Sequence, residues 1–223
     1  MTDGVTVREL VGTAEFTAAA ALYRSVFGYT DPAYGLSPRL LAGLRANSGS
    51  VIGAFDPAGA LVGFCFGFTA VDQGEIYHYS QAAVVDPRAQ GTGVGRLLKQ
   101  AQAAVARYTG ARTMRWTFDP YALRNAHFNL AVLAATGIRF LPDYYGGGTD
   151  RVLISWDLAG PPGRARAGRT VTAPATGDEA ATAPADRDRL RRDLIAEFAA
   201  GGRLVGVDRQ DDRAAYTFER GTP

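Results

Sequence analysis

The chain has 223 residues, of which 47% are hydrophobic and 21% are charged, with a formal net charge of +2. This composition is typical of a globular chain with one sizeable core, and the excess of positive charge is too small to predict nucleic acid as a partner. One cysteine and two histidines exclude an intramolecular disulfide and a four-ligand zinc site, and no membrane span or export signal is recognisable, so we expect a cytoplasmic protein without a metal.

Apolar periodicity predicts two helices and three strands in the first 85 residues. Apolar residues at helical spacing from Phe16 to Phe27 predict a helix that ends at Gly28. Ser37 and Pro38 supply the cap and the first-turn proline of a second short helix. Three strands separated by turn sequences are predicted next, at 51–55, 61–71 and 76–85.

The third strand leads into a glycine-rich segment, residues 86–96, which we call the glycine loop, and an amphipathic helix is predicted from residue 94 onward. Alternating Gly91, Gly93 and Gly95 allow backbone N–H groups to converge where this helix begins, which favours a phosphate or pyrophosphate ligand. The single lysine is misplaced for a P-loop, and the glycine spacing is not that of a dinucleotide fold. A turn without a ligand is the alternative.

The rest of the chain predicts a second half of the same domain and a separate tail. Strands are predicted at 114–118, 138–141 and 151–158. Residues 123–136 predict a helix that ends at Gly137, and the Gly-, Pro- and Ala-rich segment 159–185 predicts a disordered linker. Residues 186–223 predict a helix and a hairpin that dock on the main domain or on a second subunit. The fold class is therefore α/β, a mixed sheet flanked by helices over 1–158 with a C-terminal extension.

The loop sequence Gln90-Gly91-Thr92-Gly93-Val94-Gly95 resembles the signature of the GNAT superfamily of acyl-CoA N-acyltransferases, and Val85-Asp86-Pro87 and the order of elements over 5–158 match it as well. The resemblance implies a GNAT-like twisted sheet and acetyl-CoA or another acyl-CoA as co-substrate. It implies that backbone groups around Ala83, Val84 and Val85 pair with the pantetheine arm. It also implies that the pyrophosphate contacts the loop residues Gln90, Gly91, Thr92, Gly93, Val94, Gly95 and Arg96. Asn125 and Asn129, spaced i, i+4 on one face of the predicted helix, are the candidates for a further coenzyme contact, and Asn125 is preferred because it lies nearer the start of the helix.

A narrower resemblance comes from the segments 116–120, 124–130 and 143–146, which are similar to a bacterial GNAT subfamily associated with N-succinylamino acid racemases. Asp143 stands where that subfamily has asparagine, and the segment that follows Gly146 is shorter. For this reason the amino-acid acceptor of the subfamily is not carried over.

Acyl transfer to an amine needs a base for the amine and an acid for the departing thiolate. In the superfamily the acid is often a tyrosine, and the corresponding position here is Leu133. Tyr144 and Tyr145 are therefore the acid candidates, with core or rim aromatics as the alternative. His78 and Ser80 on the fourth strand are the base candidates, with a structural role as the alternative and an ordered water as a substitute.

The sequence thus predicts a bacterial N-acyltransferase that moves an acetyl or larger group, such as succinyl, from CoA to the amine of a small molecule such as an amino acid or a specialised metabolite. One alternative is a CoA-binding module without catalysis, which is favoured by the apolar Leu133 at the position of the usual acid. The other is a protein N-terminal or lysine acetyltransferase. A docking tail is also compatible with a homodimer.

Overall fold

The computed structural model describes residues 4–160, 168–174, 182–210 and 213–220. The chain folds into two compact units, residues 1–114 and 115–223. In the described residues no helix is long and apolar enough to cross a membrane. The boundary between the units lies inside a strand, so it differs from the predicted division at 159–185, which stays a prediction.

The first unit is an antiparallel sheet covered by helices on both faces. Each of its four strands is antiparallel to the next, in the order β1-β2-β3-β4. The strands are β1 (Thr6–Glu9), β2 (Ser50–Phe55), β3 (Leu61–Asp72) and β4 (Glu75–Val85). The helices are α1 (Gly12–Phe27), α2 (Pro38–Ala46) and α3 (Val94–Tyr108). Gly28 ends α1 with φ of 67°, as its position in the sequence predicts.

Strand β3 shows how the two faces of this sheet are filled. Phe64 and Phe66 are buried in a cluster with residues of α1 and α2, whereas Cys65 between them is buried in a second cluster with Val94 and Leu98 of α3. Successive side chains of a strand point to opposite faces, so α3 packs on the face opposite α1 and α2. Cys65 is fully buried and acts as a small core residue.

The second unit contains the remaining strands, in the order β5-β7-β6-β9-β10-β8. These strands are β5 (Thr113–Phe118), β6 (Thr136–Leu141), β7 (Arg151–Asp157), β8 (Arg169–Pro174), β9 (Gly202–Gln210) and β10 (Arg213–Arg220). Its helices are α4 (Leu123–Ala126), a π-helical segment (His127–Val132) and α5 (Pro184–Ala199).

The prediction of one helix over 123–136 is wrong in its type and its end. The segment changes from α- to π-helix after four residues, and the N–H of Leu133 donates to the carbonyl of Phe128, five residues earlier. Gly137 does not end a helix but lies in β6, where it pairs with both Ile154 and Leu204. A Cβ at Gly137 would lie 2.8 Å from Leu204 Cβ, so the close approach of two strands requires the glycine.

The C-terminal extension joins the sheet of the second unit in the same chain. β9 lies beside β6, β10 is antiparallel to β9, and β8 is antiparallel to β10. Leu190 and Leu194 of α5 are fully buried, whereas Ile195 of the same helix is exposed. β8 lies within the segment predicted as a linker, and the parts of that segment at 161–167 and 175–181 lie outside the described residues.

Candidate functional site

The glycine loop is a compact turn that is held by its own side chains. The Asp86 carboxylate accepts the N–H of Arg88 at 2.9 Å, which starts a short 3₁₀ turn, and its second oxygen lies 2.8 Å from the Arg88 guanidinium. These hydrogen bonds lower the pKa of Asp86 to about 2. The Gln90 amide donates to the Val85 carbonyl at 3.0 Å, and the Thr92 hydroxyl donates to the Ala89 carbonyl at 2.7 Å.

Backbone N–H groups are concentrated where this loop becomes α3. Gly91 and Gly93 have φ of 77° and 99°, a backbone conformation that residues other than glycine rarely adopt. Gly93 is the N-cap of α3, and no side chain caps the helix there. Its carbonyl accepts the N–H groups of Arg96 and Leu97, which are the first hydrogen bonds of the helix. The N–H groups of the loop residues before Arg96 are therefore not used by the hydrogen bonds of the helix. Together with the partial positive charge of a 15-residue helix, they form a suitable site for an anion.

Five buried polar side chains form a hydrogen-bonded chain beneath α3, which we call the buried network: Ser50, His78, Ser80, Lys99 and Gln102. The ammonium or amine of Lys99 donates to the Ser80 hydroxyl at 2.7 Å, which donates to Gln102 Oε1 at 2.7 Å. Gln102 Nε2 donates to the Ser50 hydroxyl at 2.9 Å, which lies 2.8 Å from His78 Nε2. No member is more than 2% exposed.

Burial changes the protonation of this network. It lowers the pKa of Lys99 to about 7, and burial followed by the charge of Lys99 lowers the pKa of His78 to about 4. His78 is therefore neutral near pH 7. The structure brings the two base candidates, His78 and Ser80, into one network, but it encloses both in the core rather than at a surface that a substrate reaches.

A β-bulge follows the network in β4. Phe66 of β3 pairs with Ala82 and the next residue, Gly67, pairs with Ser80, so Gln81 is the extra residue of β4. Ser80 faces α3 before the bulge, whereas Val84 beyond it packs with Phe66 in the α1 and α2 cluster. The bulge thus turns the backbone of β4 immediately before the segment predicted to bind pantetheine, residues 83–85.

The second unit holds the acid candidates in an exposed turn between β6 and β7, residues 143–149, which we call the tyrosine loop. Tyr144 and Tyr145 are 44% and 58% exposed, and their ring centroids are 4.6 Å apart. The N–H of Tyr144 donates to the Thr149 carbonyl at 2.9 Å, and the Arg151 guanidinium lies 5.5 Å from the Tyr145 ring centroid. Both phenols are accessible, and neither enters the core of the unit.

Beneath the tyrosine loop lies a buried pair that the sequence analysis missed. The hydroxyl of Tyr121 donates to the Asp150 carboxylate at 2.6 Å, and the two residues are each 2% exposed. Burial and this hydrogen bond raise the pKa of Tyr121. An aspartate directly after a glycine-rich turn is a common loop residue, so the sequence offered no signal that it pairs with a tyrosine 29 positions earlier.

Asn125 and Asn129 differ in exposure although they are only four residues apart. Asn125 is exposed on α4, whereas Asn129 is buried and its amide oxygen accepts the indole N–H of Trp116 at 3.0 Å. The segment changes from α- to π-helix between these two residues. Asn125, the predicted coenzyme contact, is therefore the one of the two that solvent reaches.

An open groove of about 810 Å³ lies at the opposite end of α3 from the glycine loop. Leu40, Asn47, Phe68 and Tyr108 are among the residues that line it. Because α3 has 15 residues, the groove and the loop are separated by roughly 20 Å along the helix axis. The groove is therefore not part of the predicted pyrophosphate site.

The fold of the chain is similar to that of several acetyltransferases of known structure. Structures of YncA from Salmonella typhimurium with its cofactor acetyl-CoA and of aminoglycoside 6'-acetyltransferase type Ii both superpose with a TM-score of 0.57, at 18% and 14% identity. They cover 73% and 70% of this chain, which spans 100% and 99% of theirs. The chain has the GNAT fold.

A third structure with this GNAT fold is the ribosomal-protein-S18-alanine N-acetyltransferase from Escherichia coli, with a TM-score of 0.54 and 17% identity. It covers 70% of this chain, and the match includes 96% of its own length. No protein-family model and no curated protein sequence matches the chain. Within the described residues, no three His, Cys, Asp or Glu side chains lie close enough together to hold a metal ion.

Proposed function

We propose that the protein is an N-acyltransferase that moves an acetyl or larger acyl group from an acyl-CoA to the amine of a small molecule. The observation that carries the proposal is the glycine loop at the start of α3 in a chain with the GNAT fold. The neighbour solved with acetyl-CoA supports the choice of co-substrate. The single buried cysteine is compatible with a cytoplasmic protein.

The residues of the first unit fit such a co-substrate. A Cβ at Gly91 would have no atom within 4 Å, so the loop has open space beside its backbone. We propose that the N–H groups of residues 91–95 bind the pyrophosphate and that Arg96, exposed on the first turn of α3, adds positive charge beside it. The backbone of 83–85 would bind the pantetheine arm beyond the bulge. An acyl-CoA supplies an activated thioester when bound.

The catalytic side chains are best assigned by accessibility. A proton donor for a thiolate must reach it, and Tyr144 and Tyr145 are exposed whereas Leu133, at the usual acid position, is an apolar buried residue. We therefore propose one of the two tyrosines as the acid. His78 and Ser80 are enclosed, so we propose that the acceptor amine loses its proton to water rather than to either residue.

Two other functions differ from this proposal in one feature each. Leu133 is 4% exposed and cannot donate a proton, which favours a CoA-binding module without catalysis as the second candidate. The S18-alanine N-acetyltransferase among the structural neighbours acts on a protein, so a peptide amine is the alternative acceptor. Turnover with a small amine would refute the first, and turnover only with peptides would favour the second.

The test is a calorimetric titration of the protein with acetyl-CoA and succinyl-CoA, repeated with Gly91→Asp. Aspartate tolerates a positive φ better than most residues, and its carboxylate would stand beside the proposed pyrophosphate site. Gly59→Asp is the matched control, because Gly59 also has a positive φ, 83°, and open space around a Cβ. We expect micromolar binding that is lost in Gly91→Asp and kept in Gly59→Asp. No binding to the unmodified protein would refute the proposal.

A further inference from the structure

Two arginines of α5 reach the base of the tyrosine loop. Arg187 and Arg191 are four residues apart and therefore lie on one face of the helix. Arg191 Nε lies 3.4 Å from the Asp150 carboxylate, and the Arg187 guanidinium carbon lies 4.4 Å from the Tyr121 ring centroid. An Arg187 nitrogen is also 3.5 Å from the Gly148 carbonyl. The extension thus contacts both members of the buried pair and the loop above it.

Asp150 connects these arginines to the start of the tyrosine loop. One oxygen of its carboxylate accepts the Tyr121 hydroxyl, and the other accepts the N–H of Asp143 at 2.9 Å. Asp143 has φ of 51°, and its own carboxylate accepts the N–H of Gly148 at 2.6 Å, which closes the loop on itself. A single buried carboxylate therefore fixes the residue at which the loop begins.

The charge of Asp150 makes this arrangement depend on α5. Its side chain is 3% exposed, and a carboxylate at that depth is stable only with a cation or several hydrogen bonds. One hydrogen bond comes from Asp143 in the loop and the other from Tyr121, whereas the cation, Arg191, comes from the extension. Removing that cation leaves the buried carboxylate with two hydrogen bonds and less compensation for its charge, which should loosen the contact that fixes the start of the loop.

We propose that α5 is a positioning element for the tyrosine loop, acting through Arg187 and Arg191 on Tyr121 and Asp150. A second link supports this role, because the fully buried Tyr216 of β10 donates to the Pro120 carbonyl at 2.7 Å, next to Tyr121. The proposal rests on the proposed function, in which the loop supplies the acid. None of the four residues is a catalytic residue.

The experiment compares Arg191→Met with Arg191→Lys and with Arg192→Met in the full-length protein. Lysine keeps the positive charge, and Arg192 is an exposed arginine on the same helix, so its loss is a matched control. Amide hydrogen exchange over 143–150 is measured first, because it needs no substrate. We expect faster exchange at Asp143 in Arg191→Met, partial restoration in Arg191→Lys and no change in Arg192→Met.

Kinetics then separate positioning from general stability. In Arg191→Met we expect kcat/KM for the acceptor to fall about 10- to 100-fold while the Kd of acyl-CoA stays unchanged, because the glycine loop lies in the first unit. Unchanged exchange at 143–150, or a fall in thermal stability with unchanged kinetics, would overturn the proposal. Absence of acyl-CoA binding in the unmodified protein would refute the proposed function instead, and the exchange data would still test the contact.

Discussion

Lys99 is the only lysine of the chain, and its burial predicts that the free energy of unfolding depends strongly on pH. Its side-chain nitrogen is enclosed beneath α3 and donates to the Ser80 hydroxyl. Burial lowers the pKa of this group from 10.5 to about 7 in the folded chain. Lys99→Met would keep the length of the side chain and remove the titrating group, while Ser80 would keep Gln102 as a hydrogen-bond partner.

The sign of the effect follows from the two pKa values. Between pH 7 and 10.5 the unfolded chain binds a proton at Lys99 that the folded chain does not, so the free energy of unfolding rises with pH. The limiting slope is about 1.4 kcal/mol per pH unit, and because the folded chain is still half protonated at pH 7 the change between pH 7 and pH 9 is about 2 kcal/mol. Above pH 9 the buried Cys65, whose pKa is raised to about 12, acts in the opposite direction.

Below pH 7 both states carry the proton on Lys99, so its contribution to the slope disappears. His78 extends the trend to lower pH, because its pKa falls from 6.5 to about 4 on folding. The folded protein should therefore lose stability again as the pH falls from 6.5 towards 4. Lys99→Met also removes the charge that contributes to the low pKa of His78, so this second loss should become smaller in the variant.

The assay is urea unfolding at pH 7, 8 and 9, for the unmodified protein, Lys99→Met and Arg107→Met. Arg107 is an exposed cation of the same helix, so its removal controls for the loss of one charge. We expect the slope to be much smaller in Lys99→Met and unchanged in Arg107→Met. An equal slope in all three proteins would show that Lys99 does not titrate between these pH values, and the reasoning would be refuted.

Two further changes test the acid and the bulge. Tyr144→Phe and Tyr145→Phe each remove one phenol hydroxyl. We expect one of the two variants to lower kcat about 100-fold or more while the Kd of acyl-CoA stays unchanged. Full activity in both variants would exclude a tyrosine as the acid. Gly67→Ala places a Cβ 2.3 Å from the Tyr79 carbonyl oxygen and should lower the free energy of unfolding by about 1–3 kcal/mol. Gly43→Ala is the control, because a Cβ at Gly43 in α2 has open space, and it should raise the free energy of unfolding by up to about 1 kcal/mol. Urea unfolding measures both changes.

The fold could be predicted from the sequence wherever the periodicity of apolar residues agrees with the position of turn-forming residues. The first helix and its end at Gly28, strands β2 to β4 and the order of loop and α3 all follow from local patterns, and the structure agrees within one or two residues at most ends. Gly137 shows the limit of this reasoning. A glycine after a helical pattern is typical of a helix end, but only the partner strand explains why this one lies in β6.

Part of the candidate site could also be predicted from the sequence, and part of it could not. The glycine loop could be found because its proposed function depends on backbone groups that adjacent residues supply. The buried network and the Tyr121–Asp150 pair could not, because each joins residues that are 19 to 52 positions apart in the chain. His78 illustrates the difference, since its ordinary pKa suggested a base, and only its burial shows that it is neutral and enclosed.

A buried polar network lowers stability in an otherwise apolar core. In this chain the buried network helps to fix the register of β4 against β3. If β4 shifted by one residue against β3, His78 and Ser80 would turn to the face that holds Phe64 and Phe66. Their hydrogen bonds to Ser50, Gln102 and Lys99 would then be lost, which would leave several buried polar groups unsatisfied at about 1–3 kcal/mol each. The network thus disfavours a one-residue shift from the register that places the bulge at Gln81, directly before the proposed coenzyme-binding segment.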